Sequence, residues 1–487
     1  MTAHRLNRTR LSQVPKTVGR PGYDPAGLSA GIVHIGVGAF HRAHQAAYVD
    51  ACLAEGDTNW GIIGVSLRSP TTRDALAPQD WLYTLAEKDG SGETLKVIGS
   101  VMKVLVAPED PQAVLAAMSD PKTRIVTLTV TEKAYPRKPH GGLDTQDRTV
   151  AADLENPDQP TGIPGSLTEA LARRRADGVA PFTVLSCDNL PSNGETLRRL
   201  VIEFATLRDP ELGRYIEHNV AFPSSMVDRI VPATTDADRE RVAQALGAED
   251  AWPVVTEPFM QWVVEDNFPM GRPAWERHGV EMVTDVAPFE EMKLRLLNGG
   301  HSALAYAGQL LGRETVADAF ADPVIHGFVK GLWRESARTL SGGAGLMPDE
   351  YTARLADRFA NPALHHRTAQ IANDGSQKLP QRFINPLLGR LDAGGDVPHL
   401  AAGVALWVAA LANRGKPSAF TDPLDETLKA AIANTDNTAD TVAAVLEAAR
   451  FDGIDRYLPA VIEACQRISD DGVSAALAHY ARGDITQ

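Results

Sequence analysis

Only three cysteines stand in 487 residues, at positions 52, 187 and 465. They are far apart and odd in number, which excludes a disulfide framework and a zinc-ligand spacing, so a reducing compartment is expected. No run of 18 apolar residues occurs, which excludes a membrane-spanning helix. A basic excess is missing too: 48 Lys and Arg face 62 Asp and Glu, a net charge of −14. That balance argues against nucleic acid or an anionic membrane as partner. An anionic substrate would have to be drawn in by local Arg and Lys. The first twenty residues are polar and basic and lack the apolar core of a secretory signal, so the expected location is cytoplasmic. Internal repeats and low-complexity tracts are also absent. What remains is 44% hydrophobic and 23% charged, enough apolar material for large cores and, at this length, two or three domains.

The N-terminal half reads as a nucleotide-binding sheet. Gly31-Ile32-Val33-His34-Ile35 is a short strand pattern, followed by Gly36-Val37-Gly38-Ala39-Phe40-His41 and a helical pattern over Ala43–Leu53. Strand, glycine turn and helix are the context of a dinucleotide fingerprint, in which Gly36 and Gly38 let the backbone bend and approach a pyrophosphate. The third glycine of that fingerprint is replaced by His41. Apolar runs at Trp60–Ser66, Val97–Val101, Ile125–Val130, Phe182–Ser186 and Val254–Val255 fit buried parallel strands. Helical patterns at Pro111–Met118, Leu167–Asp177 and Glu195–Thr206 alternate with them, which predicts a doubly wound α/β domain. Two strand ends run into polar clusters, Thr131-Glu132-Lys133 and Cys187-Asp188-Asn189; each is a turn or part of a site. After the second strand, where an acid commonly holds ribose hydroxyls, stand Arg68 and Arg73, with no acid before Asp74. They fit a 2′-phosphate or a solvated turn.

From Pro288 onward strand patterns nearly vanish. Helical periodicity covers Glu290–Leu311, Val324–Arg338, Asp349–Phe359, Leu400–Arg414, Leu424–Ala433, Thr438–Ala449 and Tyr457–Arg467. The predicted division is a Rossmann-type domain over 1–286 and an all-α domain over 287–487. The opening helix of the second domain carries Lys293, Asn298 and His301. At about 100° per residue these sit near 0°, 140° and 80° around the axis, on one broad face shared with leucines. A lysine on such a face is a candidate general base, an amide can hold an alkoxide, and an imidazole a hydroxyl. The same stretch also fits a solvated Lys/Arg face beside a buried His and Asn. Gly299 and Gly300 cost about 1 kcal/mol each inside a helix, which points to a close approach to the backbone. The stretch Asp374–Arg382 reads as a Gly/Pro-punctuated turn that gathers Lys378 and Arg382, with Arg367 upstream, as a candidate carboxylate site or a solvated loop.

Together, Gly36 to His44, Thr129-Val130-Thr131-Glu132, Ser186-Cys187-Asp188-Asn189, Met226-Val227-Asp228-Arg229, Glu257-Pro258-Phe259 through Glu265-Asp266, and Lys293 to His301 resemble the polyol-specific long-chain dehydrogenases. That family includes mannitol 2-dehydrogenases and fructuronate reductases (D-mannonate oxidoreductases), and the resemblance runs from about residue 30 to at least 415. It implies a metal-independent, two-domain oxidoreductase using NAD, with NADP not excluded. It implies Lys293 as general base, Asn189 and Asn298 on the alkoxide or carbonyl oxygen, His301 and Asp228 positioning substrate, and Glu290 near the proton path. Gly36, Gly38, Phe40, Arg68 and Glu132 fall in its cofactor-binding stretches. Gln370 stands where mannitol dehydrogenases carry arginine, and Asp374–Arg382 resembles the fructuronate reductase branch. A charged substrate end would suit Lys378, Arg382 and Arg367. The acid that marks NAD use in mannitol dehydrogenases is missing around Thr71. The expected reaction is therefore interconversion of D-mannonate and D-fructuronate, with a mannitol- or arabinitol-type polyol dehydrogenase as the alternative and a non-catalytic nucleotide-binding sensor as a third reading.

Overall fold

Short apolar segments with both faces covered form the strands at the centre of the N-terminal part. A computed structural model describes residues 4–138, 141–343, 345–413 and 420–482. The chain divides into two units, Met1–Ala287 and Pro288–Gln487. The strands of the first unit are β1 (Ala30–Ile35), β2 (Gly61–Ser66), β3 (Tyr83–Asp89), β4 (Gly92–Ile98), β5 (Val101–Val106), β6 (Ile125–Leu128), β7 (Thr183–Ser186), β8 (Ser225–Asp228), β9 (Val254–Thr256), β10 (Gln261–Glu265) and β11 (Glu281–Val283).

Five of them form a parallel sheet in the order β5-β2-β1-β6-β7. β2, β6 and β7 are buried along their whole length, as a sheet flanked by helices on both faces requires. Helices Pro111–Ser119, Ile163–Ala176 and Asn193–Arg208 bury Leu115, Leu167, Leu171, Leu197 and Leu200 in one core cluster with Val33, Val126 and Val184. Helix Gln45–Ala54 buries Tyr48, Val49 and Leu53 with Ile32 and Ile62. Strand order reverses at β1, which has β2 on one side and β6 on the other. The crevice beyond the carboxyl ends of these strands is where such sheets hold ligands.

Not every apolar run joins this sheet. The run at Val97–Val101 is split at Gly99-Ser100 into the end of β4 and the start of β5. β3 and β4 form an antiparallel hairpin whose turn is held by Asp89, which accepts from the N–H groups of Ser91 (2.7 Å) and Gly92 (3.2 Å). β9, the run at Val254–Val255, pairs with β3 instead. A third sheet sets β10 antiparallel to β8 and parallel to β11. The helix expected over Ala43–Leu53 begins earlier and is broken. Helices Ala39–Ala43 and Gln45–Ala54 meet at His44, whose backbone (φ −119°, ψ −89°) is not helical.

The second unit is helical, and among its described residues no strand occurs beyond an isolated bridge between Thr315 and Arg367. Helix Pro398–Ala412 runs through its core, burying Leu400, Val404, Leu406, Trp407 and Leu411 against helices Gly299–Leu311 and Ile454–Asp471. Two expectations are corrected. The run at 290–311 is not one regular α-helix: α turns over Ala287–Met292 and Gly299–Leu311 flank a π turn over Lys293–Asn298. The stretch Asp374–Arg382 is no loop: α-helix Gly375–Leu379 runs into a second π turn, Pro380–Ile384, and then helix Asn385–Asp392. Pro380 explains the second widening. A proline inside an α-helix lacks the donor for the i−4 carbonyl and clashes with it, and a wider turn relieves both. Among the described residues no helix is long and apolar enough to cross a membrane.

Candidate active site

In the first unit the sequence motifs collect at the carboxyl edge of the parallel sheet. Gly36 has φ +96°, and a Cβ there would lie 2.1 Å from the Thr129 carbonyl oxygen. Its N–H donates to Val65 O at 2.9 Å, so this glycine lets the chain leave β1 between the ends of β2 and β6. Gly38 is different. A Cβ there would meet only Gly36 O, at 3.8 Å, so the backbone borders open space. Gly38 therefore leaves room beside the backbone, and Gly36 serves the fold.

His41, in place of the third glycine, is fully buried and stacks on His34 with ring centroids 3.3 Å apart. His34 bonds the hydroxyls of Thr127 (2.7 Å) and Thr129 (2.9 Å) through its two nitrogens. Burial holds His34 down to about 3 and His41 well below the ordinary histidine range, with the neighbouring His34 and Arg42 adding to the latter. Both rings are neutral at pH 7. Phe40 is half-buried and stacks on His44 at 5.1 Å. Arg68 is exposed at the end of β2, while Arg73 pairs with Asp74 (2.8 Å) and Glu109.

The two polar strand ends are one structure. Asp188, after β7, accepts from the N–H groups of Val130 (2.8 Å) and Thr131 (3.0 Å) and from the Tyr135 hydroxyl (2.5 Å). Burial pushes this carboxyl upward, and the bonds from Tyr135 and the two amides oppose the shift. Thr131 is held at φ +85°, a left-handed conformation that a β-branched residue adopts only under constraint. Asp188 supplies that constraint and so fixes where Glu132, exposed just beyond, begins. Asn189 is exposed beside Asp188. Asn193, fully buried, donates to Asp188 O (2.9 Å) and Ser225 O (2.8 Å) and accepts from Ser225 N (3.0 Å). It ties the β7 turn to β8, whose last residue is the buried Asp228. The next residue, Arg229, is a buried clamp: it donates to the carbonyls of Glu257 (2.9 Å) and Ala43 and pairs with Glu87. Arg229 stands in the Met226–Arg229 motif and Asn193 in none, and the clamping role of each shows only in the fold, because Ser225, Glu257, Ala43 and Glu87 lie far from them in the chain.

In the second unit the π turn changes the geometry of the Lys293 cluster. A π turn takes about 4.4 residues, or about 82° per residue. Over the five steps from Lys293 to Asn298 that brings the amide to about 50° instead of 140°, and three α steps then put His301 near −10°. The ammonium, amide and imidazole thus share a narrow sector. Lys293 and His301 are buried and Asn298 is half-buried. Gly300 serves packing, since a Cβ there would lie 2.8 Å from the Trp333 indole nitrogen, whereas a Cβ on Gly299 would meet nothing closer than 3.5 Å. That indole N–H donates to Leu296 O, inside the π turn, at 2.9 Å. Glu290, half-buried, lies on the turn before Lys293.

His301 packs on Phe359 (4.6 Å) and edge-on to His366 (5.2 Å). Burial holds it well below the ordinary range, and the charges of His366, Arg358 and Arg382 push the same way. It is neutral, and its buried Nε2 has no hydrogen-bond partner among the described residues. Arg382, on the second π turn, donates to Ser302 Oγ at 2.8 Å, next to His301 in sequence. Burial lowers its pKa, and among the described residues no carboxylate pairs with it. Lys378 is committed elsewhere: its ammonium donates to Asn373 O (2.7 Å) and lies 3.5 Å from Asp374. Arg367 is exposed at the N-terminus of helix Thr368–Ala372. Of the expected cations, Lys378 and Arg382 remain close enough for their charges to act on each other while Arg367 is exposed, and the charged and titratable neighbours of His301 are Arg382, Arg358 and His366.

Comparison with known proteins covers both units. A family model described as the mannitol dehydrogenase Rossmann domain matches residues 30–277, and the mannitol dehydrogenase C-terminal domain matches 285–469. The chain is 47% identical over 397 residues to D-mannonate oxidoreductase of Escherichia coli, covering 80% of this chain and 82% of that one. It is 39% identical over 493 residues to mannitol 2-dehydrogenase of Phaeosphaeria nodorum, covering 98% and 86%. A crystal structure of D-sorbitol dehydrogenase in substrate-free form superposes with a TM-score of 0.90 at 36% identity, covering 97% of this chain and all of that one. Pseudomonas fluorescens mannitol 2-dehydrogenase, in ternary complex with NAD and D-mannitol, gives 0.82 at 37%, covering 98% and 99%.

Proposed function

The chain belongs to the mannitol dehydrogenase family, and on that premise we propose that it is an NAD-dependent oxidoreductase interconverting D-mannonate and D-fructuronate, with Lys293 as general base. The observation that carries the substrate is Arg382. A half-buried guanidinium facing no carboxylate among the described residues is costly unless an anion reaches it. The carboxylate of a sugar acid is such an anion, and the planar fork of arginine matches it. The 47% identity to D-mannonate oxidoreductase supports the same choice.

The open space beside Gly38 and an apolar cavity at the ends of β1, β2 and β5 fit a dinucleotide. When bound, the nicotinamide accepts the hydride in oxidation and donates it in reduction. Lys293 Nζ takes the hydroxyl proton as the alcohol becomes a ketone, and its ammonium form returns that proton in reduction. Asn298 donates to the reacting oxygen, where charge develops, and Asn189 is assigned the same task. The unpartnered Nε2 of the neutral His301 takes a substrate hydroxyl, Asp228 positions substrate, and Glu290 carries the proton onward from Lys293.

One observation favours a neutral polyol instead. Lys378 is already engaged by Asp374 and a backbone carbonyl, so one of the three expected carboxylate-binding cations is spent. Rates of NADH oxidation with D-fructuronate and with D-fructose separate the readings. Arg382→Gln should raise KM for the acid by about a hundredfold and leave the ketose unchanged, as expected when one partner of a buried charge pair is removed. Equal loss on both substrates, or a wild-type preference for the neutral ketose, would sink the sugar-acid assignment.

A further inference from the structure

We propose that Glu109, on the turn after β5, sets the dinucleotide preference by holding Arg73 away from a 2′-phosphate. The inference rests on the reading of the first unit as an NAD site. β2 ends in Ser66-Leu67-Arg68, without the acid that usually takes ribose hydroxyls at that place. β5 lies beside it in parallel, with Ser66 opposite Val106 and the Ala107 N–H donating to Ser66 O at 2.9 Å. The turn that follows β5 is thereby brought against the end of β2.

Between them lies a cavity of about 210 Å³, lined by Ile35, Val65, Leu67, Ala107, Pro108 and Val114 among others. It is an apolar slot at the carboxyl ends of β1, β2 and β5, suited to a flat apolar ring. Leu67 on one wall is followed directly by Arg68, and Pro108 on the other directly by Glu109. Arg73, on helix Thr71–Leu76, closes onto Glu109 and Asp74. The carboxylate that β2 lacks is thus delivered from the neighbouring strand.

The charges decide what the slot's rim accepts. Arg73, Asp74 and Glu109 sum to −1, the exposed Arg68 brings the rim to zero, and a 2′-phosphate adds roughly −2. With Glu109 in place the guanidinium fork is occupied by carboxylates, leaving oxygen acceptors for ribose hydroxyls and repulsion for phosphate. Without it one edge of the fork is free, and guanidinium binds phosphate well. The side chains are about one-third to three-fifths exposed, so solvent moderates the effect.

Isothermal titration of the full-length protein with NADH and NADPH tests this without reference to the sugar. Wild type should prefer NADH. Glu109→Gln should shift the ratio of dissociation constants toward NADPH by about tenfold, and Arg73→Ala in the same background should abolish the gain. A ratio that moves by less than about twofold in Glu109→Gln, a gain that survives loss of Arg73, or a wild-type preference for NADPH overturns the inference alone. A chain that binds neither dinucleotide overturns it together with the proposed function. An unchanged urea midpoint in Glu109→Gln excludes damage to the fold as the source of a shift.

Discussion

Lys293 and His301 are both buried on one helix, yet they are expected to answer differently to pH. With Lys293 as the proposed general base, oxidation would need it unprotonated, so the rate of alcohol oxidation is expected to rise with pH along a limb that Lys293→Ala removes. His301 is held neutral by burial, with His366, Arg358 and Arg382 opposing its protonation, so it carries no titration between pH 6 and 8. Lys293→Ala should lower kcat by about 10²–10⁴ and erase the pH limb. His301→Gln should lower kcat/KM and leave the limb where it was. Profiles of kcat/KM across this range for the three proteins decide the matter; a limb that moves in His301→Gln would assign the titration to the imidazole. Both residues stand out in the sequence because they are polar and close in the chain. The narrow sector they share with Asn298 does not, since it depends on a π turn that no residue in Lys293–Asn298 announces. Arg382 was visible as a cation, but that it faces no acid is a fact of tertiary packing.

Where an element buries one continuous face, its pattern survives in the sequence. β2, β6 and β7 are buried throughout, with only small Ser and Thr among their apolar residues, and helices such as Asn193–Arg208 and Pro323–Ala337 keep a regular apolar stripe. β4 alternates unevenly between exposed and buried positions, so only its last residues show in the run at Val97–Val101, although Asp89-Gly90 marks the hairpin turn with β3 and Gly99-Ser100 the break from β5. Pro380 misleads in the opposite direction. A proline usually ends a helix, but here a wider turn accommodates it and the helical path continues. The β6–β7 edge is the element whose local cost is best defined. Asp188 holds two backbone N–H groups and Thr131 in a left-handed conformation. Asp188→Ala should destabilise the first unit by about 2–4 kcal/mol, because buried donors lose their acceptor. It should also weaken NADH binding as the turn relaxes, with Asp188→Asn intermediate because one oxygen remains. Urea midpoints and NADH titrations measure both; an unchanged midpoint would mean that the turn is held by other contacts.

Over the whole molecule, buried neutral imidazoles make stability depend on pH. The first unit has His34, held to about 3, and His41, held well below the ordinary range; the second has His301 and His366, both lowered by burial. In each case the folded-state pKa lies below the unfolded value near 6.5, so the unfolded chain takes up a proton that the folded chain refuses. The stability they contribute is present above about pH 6.5 and is lost as pH falls toward the depressed folded values. Each fully neutral ring adds a slope of about 1.4 kcal/mol per pH unit in that window. Asp188 and Asp250 have the opposite sign. Burial raises their carboxyls, so they favour the folded state as protons bind, but they act nearer the carboxylate range. Between pH 6.5 and 5 the histidines therefore dominate, and stability should fall steadily on acidification. His41→Phe keeps a ring stacked on His34 and removes one titrating group. Urea unfolding at pH 7.5, 6.5 and 5.5 should show the variant losing less stability than wild type, by about 0.4 kcal/mol over the first pH unit and about 1 kcal/mol over the second. Parallel slopes for the two proteins would mean that His41 accepts its proton in the folded state, against the burial that its place beneath the glycine turn imposes.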